Sequence, residues 1–370
     1  MLTVMYKINI MKINNHKVKS LVLLSLLNSV LGKEEKSTNQ TEISSSIGMD
    51  FPMLENQNQS SNLVANFGEK NIAKRDSSPP KIYYPAGYPI SIVDTSVPNW
   101  DKNNVKNCTT SFAVRRLPDT DGFITSSLCR RDFSTNGIDR VFSSYFYDGD
   151  NNSDKWDWFI GGLSFYSYKF EKNELGELVG YDVGLVLGSG TLTTKEWITV
   201  PYVTGLTTND KTISERYPIT SYLTLNETGQ KVCAYGTDSG YRCGKLIEID
   251  LELKIPNPWF TVPAIIFKGL NKVDLGTKKG FESEKDIGGP VYVQTDNDDG
   301  TVTAQALGYI TSIFNDERTG SKFFYYTPIE KALSIIKSVS VTSNDFYVLT
   351  TVNDPTSQEF QAQVEVPTKN

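Results

Sequence analysis

Between Lys81 and Pro328, short runs rich in Val, Ile, Thr, Tyr and Phe recur, each cut off by Gly, Asn, Asp or Pro. "SFAVRR", "GFITSS", "DVGLVLG", "WITVPYV", "KVCAYG", "KLIEIDLEL", "PVYVQT", "AQALGYITSIF" and "KFFYYTP" are among them. β-Branched and aromatic side chains suit a pleated, half-buried surface, and the breakers between them supply tight turns. The pattern predicts an all-β domain of about a dozen strands, as a barrel or a sandwich, and periodicity does not decide between the two. One helix closes the pattern. In "PIEKALSIIKS", residues 328–338, Pro328 suits a first turn, and Ile329, Ala332, Leu333 and Ile336 follow at helical spacing. The segment 339–370 holds a candidate strand in "DFYVLTTV" and otherwise reads as a loose tail.

The N-terminal part has a different texture. Lys7, Lys12, Lys17 and Lys19 precede the apolar "SLVLLSLLNSVLG" (Ser20–Gly32), the pattern of a secretory signal over 1–32. The run is too short to cross a bilayer and no other segment approaches that length, so no membrane span is expected in the mature chain. Residues 33–80 are rich in Asn, Gln, Ser and Glu without a lasting period, which predicts a disordered leader or propeptide. Near its end lies Lys74-Arg75, a candidate processing site in a polar stretch; the alternative is an uncut surface dipeptide. Cleavage there would start the mature chain at Asp76.

Charge and cysteine usage narrow the function classes. The net charge is -6, and no block of Lys and Arg alternates with aromatics as a nucleic-acid groove requires. The chain has one histidine, His16, inside the signal region, and no cofactor or metal is expected. An even set of cysteines, Cys108, Cys129, Cys233 and Cys243, fits two disulfides in an oxidising compartment. Export would also make the sequons at Asn39, Asn58, Asn107, Asn151 and Asn226 glycosylation candidates. Cys108 and Cys129 bracket a strand-turn-strand segment, and Cys233 and Cys243 bracket the turn-rich "AYGTDSGYR". Nearest-neighbour pairing is the simplest of the three connectivities. Each closed loop would add about 3 kcal/mol in the chain-entropy model.

Five pieces in order carry a resemblance: "C…SFAV…GFITSSLC", "GYDVGLVLG", "VCAYGTDSGYRCG", "KDIGGPVY" and "ALGYITSIF…FFYYTPIEKALS". From about Asn107 to Ser338 the chain resembles the trypsin/chymotrypsin superfamily, especially its streptogrisin-like and alpha-lytic-protease-like branch. The resemblance implies two packed six-stranded β-barrels over about 81–200 and 210–327, with the helix completing a domain at 81–338. It puts Leu128 at the place of the catalytic histidine, Asp182 at the aspartate and Ile287 at the serine. The oxyanion-hole region becomes Lys285, Asp286 and Ile287, with Lys285 where the family has a glycine. Ser312 matches the serine that bonds the aspartate, and Ile313 and Phe314 replace glycines that line the substrate cleft. Asp286 matches an aspartate that receives the new N-terminal amine in animal proteases. An internal Arg or Lys is expected as its partner here.

Chemistry then separates fold from activity. A leucine cannot exchange protons and an isoleucine has no nucleophile, whereas the mechanism needs both groups. Apolar replacements should pack across the barrel interface at little cost in stability. The expectation is a secreted, monomeric, non-catalytic homologue that binds a protein or peptide as a decoy or effector. The alternative is an active secreted endopeptidase with unconventional residues. For that, Ser283 is displaced along the chain, Ser126 and Ser127 lack a base, and Lys285 would have to serve as one.

Overall fold

The computed structural model describes residues 81–93, 105–116, 120–130, 139–143, 159–165, 170–188, 196–206, 213–256, 263–277, 279–339 and 346–354. The chain divides into two units, Met1–Arg75 and Asp76–Asn370, and every described residue belongs to the second. The signal and leader segments, Lys74, Arg75, Asn39, Asn58 and Asn151 lie outside the described residues.

The apolar runs become strands. In chain order they are β1 (Lys81–Ala86), β2 (Pro89–Val93), β3 (Val105–Thr109), β4 (Ala113–Arg116), β5 (Thr120–Thr125), β6 (Asp139–Ser143) and β7 (Phe159–Phe165). A short hairpin follows, β8 (Glu171–Lys172) and β9 (Leu178–Gly180), and then β10 (Gly184–Gly188). β11 (Glu196–Leu206) and β12 (Ile213–Tyr222) connect the halves. The second half holds β13 (Lys231–Gly236), β14 (Gly240–Pro256), β15 (Ala264–Gly276), β16 (Pro290–Asp296), β17 (Val302–Asn315) and β18 (Lys322–Pro328). Helix α1 (Ile329–Val339) and strand β19 (Phe346–Val348) finish it.

Topology resolves the choice between barrel and sandwich. In the first half the strands run β4-β5-β10-β7-β6-β2-β3. β3 and β4 are two lengths of one kinked strand: Thr110 donates its N–H to Tyr88 O at 2.9 Å, and Ser111 donates to Ile124 O at 3.0 Å. The two ends of the sheet are therefore one piece of chain, and the sheet closes on itself. In the second half β13, β14, β15, β18, β17 and β16 pair in turn, and β16 pairs back to β13. Counting strands along the chain, both halves follow one order: first, second, third, sixth, fifth, fourth. The protein is all-β, built as two closed barrels with a C-terminal helix. Closure leaves few edges for stray pairing.

One apolar cluster joins the barrels. Phe112, Val114, Ile124, Val183 and Leu185 of the first meet Tyr235, Tyr292, Ala306 and Tyr309 of the second. The helical stripe Ile329, Ala332, Leu333 and Ile336 packs on the same cluster, as its spacing predicts. The candidate strand in the tail forms within "DFYVLTTV". β19 pairs antiparallel with β4, and Phe346 and Val348 enter the inter-barrel core. Leu349 then donates its N–H to Ala113 O and Thr351 donates to Ile219 O, both at 2.9 Å. Buried Asp354 ends the described strap, 3.6 Å from Arg115. Local pattern marks such a strand but does not name its partner, which here lies about 230 residues earlier in the chain.

Candidate functional site

The site forms where loops of both barrels meet. Cys108 of β3 bonds Cys129, and Cys233 bonds Cys243 directly across the β13–β14 ladder, so both pairs are nearest neighbours. The first bridge fixes a short 3-10 turn, Ser127–Cys129, to the barrel wall. Ser126 caps it, its Oγ accepting the Leu128 N–H at 3.1 Å. Leu128 thus sits at the barrel mouth, in the middle of a covalently anchored turn.

Asp182, just before β10, is fully buried beneath that turn. Its carboxylate accepts from Ser126 Oγ at 2.8 Å, Ser127 N at 2.6 Å and Ser127 Oγ at 2.5 Å. Burial pushes its pKa up, and hydrogen bonds from Ser127, Thr311 and Ser126 oppose that shift. The hydroxyl reaching Asp182 from β17 is therefore that of Thr311, one residue before the expected Ser312. The β17–β18 ladder slips between Ile310 and Ser312, and an extra residue at such an irregularity re-aims its side chain. Thr311 is fully buried, and its hydroxyl also bonds Thr327 at 2.7 Å.

The "SEKDIGGP" segment is equally constrained. Ser283 caps a second 3-10 turn, Glu284–Asp286, in a capping box. Ser283 Oγ accepts the Lys285 N–H at 3.2 Å, and Ser283 O accepts the Asp286 N–H at 3.0 Å. Glu284 O accepts the Ile287 N–H at 3.2 Å. All three amides of the Lys285–Ile287 segment are committed inside the turn. Lys285 O points inward as well, accepting Thr109 Oγ1 at 2.7 Å and Thr237 Oγ1 at 3.3 Å.

The glycines after it are required by space. At Gly288 φ is +84°, and a Cβ there would lie 2.4 Å from Thr109 O. A Cβ at Gly289 would lie 2.1 Å from Tyr235 O. Only a residue without a side chain lets this turn lie so close to both barrels.

Asp286 is fully buried, and its partner is not the expected Arg or Lys. Its carboxylate accepts Asp238 N at 2.9 Å, Ser239 N at 3.1 Å, Ser239 Oγ at 2.5 Å and Ser283 N at 3.4 Å. The turn between β13 and β14 wraps this carboxylate with amides, so no cation is needed. The nearby lysine, Lys285, reaches Asp238 instead, at 3.4 Å.

Leu128 and Ile287 share one apolar cluster with Ile90, Cys108, Phe123 and Cys129. Leu128 also packs on Ile265, Phe267 and Leu270 of the second barrel, beside Phe170 and Leu178 of the short-hairpin segment. The two residues thus continue an apolar seam across the interface. Ile313 turns into the core of the second barrel. Phe314 is 52% exposed and stacked on Phe323. Sequence reasoning also missed Lys106 on β3. Burial pushes its ammonium pKa down, while Glu284 and Asp182 push it back up, which places it within their electrostatic reach. The Ser126-Ser127 pair beside Leu128 was the available signal for the donors on Asp182.

No helix among the described residues is long and apolar enough to cross a membrane. No protein-family model matches the chain, and no curated protein matches it. Solved structures do. Thermobifida fusca Protease A is 19% identical over 73% of this chain and 100% of that one, with a TM-score of 0.42. Nocardiopsis Protease is 15% identical over 73% and 100%, with a TM-score of 0.44. Cellulomonas bogoriensis chymotrypsin is 16% identical over 73% and 100%, with a TM-score of 0.42. By its repeated strand order and paired barrels, the chain has the double-barrel fold of trypsin-like serine proteases.

Proposed function

We propose that this chain is a secreted, non-catalytic homologue of trypsin-like serine proteases that acts as a protein-binding decoy or effector. The observation that carries the reading is the packing of Leu128 against the apolar cluster that contains Ile287. These are the positions that the resemblance gives to base and nucleophile. Loss of either group costs on the order of 10⁶ in turnover, or about 8 kcal/mol of barrier. The inward commitment of the Lys285 and Ile287 amides supports the same reading. An oxyanion needs such donors free, and one missing donor costs about 10²–10³ in rate. Asp182 then serves as a structural acceptor, tying the Ser126–Cys129 turn to β10.

Export is supported by the N-terminal signal pattern and by the two disulfides. Binding has a candidate location. Ser312–Asn315 of β17 pairs with β18 on one side, and no described strand pairs with its other side. An extended peptide segment can add there through backbone hydrogen bonds. Incubating the purified protein with a serine-reactive fluorophosphonate should give no labelling. Labelling of the folded protein would sink the proposal, and Ser126→Ala, Ser127→Ala, Ser283→Ala and Ser312→Ala would then locate the nucleophile.

A further inference from the structure

We propose that Asn226 carries an N-linked oligosaccharide. Its sequon, Asn226-Glu227-Thr228, lies in the connection from β12 to β13, where Asn226 through Lys231 are all exposed. The connection is held from behind rather than loose. Leu225 is buried, Gly229 donates its N–H to Leu246 O at 2.7 Å, and Leu246 donates back to Gln230 O at 2.9 Å. Gly229 takes a φ of +96°, turning the chain so that its backbone meets β14. The side chains of Asn226 and Thr228 make no hydrogen bond to other described residues. A sugar can be added here without displacing any described contact.

Asn107 is the contrast. It lies within β3, and its Oδ1 accepts Ser91 Oγ at 2.7 Å across the β2–β3 ladder. The middle residue of its sequon is the disulfide-bonded Cys108. The third, Thr109, is fully buried with its hydroxyl on Lys285 O. A glycan at Asn107 would have to share space with the barrel wall and the site turn.

The modification joins Asn226 Nδ2 to the anomeric carbon of an oligosaccharide delivered on a lipid diphosphate. The sugar–phosphate C–O bond breaks, the lipid diphosphate leaves with its electron pair, and Nδ2 gives up one proton. This inference rests on the export reading above, because that donor is met in the secretory pathway. It also bears on binding. Asn226 precedes one end of β13, and the turn that cages Asp286 follows the other end. Six residues of strand separate them, about 20 Å at ~3.3 Å per residue. The glycan therefore covers the end of the second barrel remote from the site turn and leaves that turn open to a partner.

The test is expression of the full chain in a eukaryotic secretory host, with its own N-terminus and, in parallel, with a heterologous signal replacing residues 1–32. Peptide-N-glycosidase in heavy-oxygen water, followed by mass spectrometry, reads the tryptic peptide Tyr217–Lys231. Heavy Asp at position 226, an unmodified Asn107–Arg115 peptide, and a gel shift reduced by one glycan in Asn226→Gln are expected. Protein that reaches the medium with an unmodified Asn226 overturns the proposal. Modification of Asn226 only with the heterologous signal would uphold the site and refute native export.

Discussion

Two buried carboxylates flank the site, and they are satisfied in opposite ways. Asp182 is held mainly by hydroxyls, from Ser126, Ser127 and Thr311, with a single amide from Ser127. Asp286 is held mainly by amides, from Asp238, Ser239 and Ser283, with a single hydroxyl from Ser239. Amide donors belong to the backbone, so Asp286 fixes the shape of two turns whatever side chains they carry. Hydroxyl donors belong to particular residues, so the Asp182 pocket depends on three side chains staying Ser or Thr. The amide cage is independent of the surrounding side chains, and the hydroxyl pocket is not.

Removing Asp286 should have the larger effect. Asp286→Ala leaves four donors without their acceptor, at about 1 kcal/mol or more each, and should cost about 4 kcal/mol in urea unfolding. A loss under about 1 kcal/mol would mean that water replaces the carboxylate and that the cage is not structural.

Ser127→Ala removes one hydroxyl but keeps the amide, and should cost about 1.5–3 kcal/mol. It should also raise the Asp182 pKa further. The sign of the pH effect follows from that direction. A carboxyl raised above its unfolded value of 3.8 contributes stability that is fully present below that pH and is lost as pH rises through the folded pKa. Unfolding free energies of wild type and Asp182→Asn, compared from pH 3 upward, should therefore diverge, with wild type losing ground to the variant as pH rises. Parallel profiles would show that the hydroxyls already cancel the cost of burial.

The smallest response is expected from placing an imidazole and a hydroxyl at the two apolar positions. Leu128→His with Ile287→Ser should give no peptide hydrolysis above background. The new imidazole would have to displace a serine hydroxyl from Asp182, while the Ile287 amide position still bonds Glu284 O. Hydrolysis recovered by this pair alone would show that both arrangements yield easily to a substrate.

Much of this was legible in the sequence because it rests on local signals. Strand runs, turn residues, the local disulfides and the helical stripe Ile329–Ala332–Leu333–Ile336 each act over a few residues, and each is found in the structure. Less legible were features that depend on three-dimensional register. Thr311 rather than Ser312 acts on Asp182 where the β17–β18 register slips, and a motif match is no finer than a residue or two. The amide cage around Asp286 has no side-chain signature, since backbone N–H groups belong to every residue type except proline. The strap at 346–354 depends on a partner strand far away in the chain.

That strap also bears on the order of assembly. β4 lies between β5 and β19, so one edge of the first barrel is covered by a strand from much later in the chain. Both barrels can form their own ladders first, but the β4 edge stays uncovered until residues 346–354 return to it. Such distant pairing is slow because a long loop must close first. An exposed edge during that interval is where unwanted strand pairing begins. The β4 edge is thus a vulnerable seam during folding, sealed by residues 346–354.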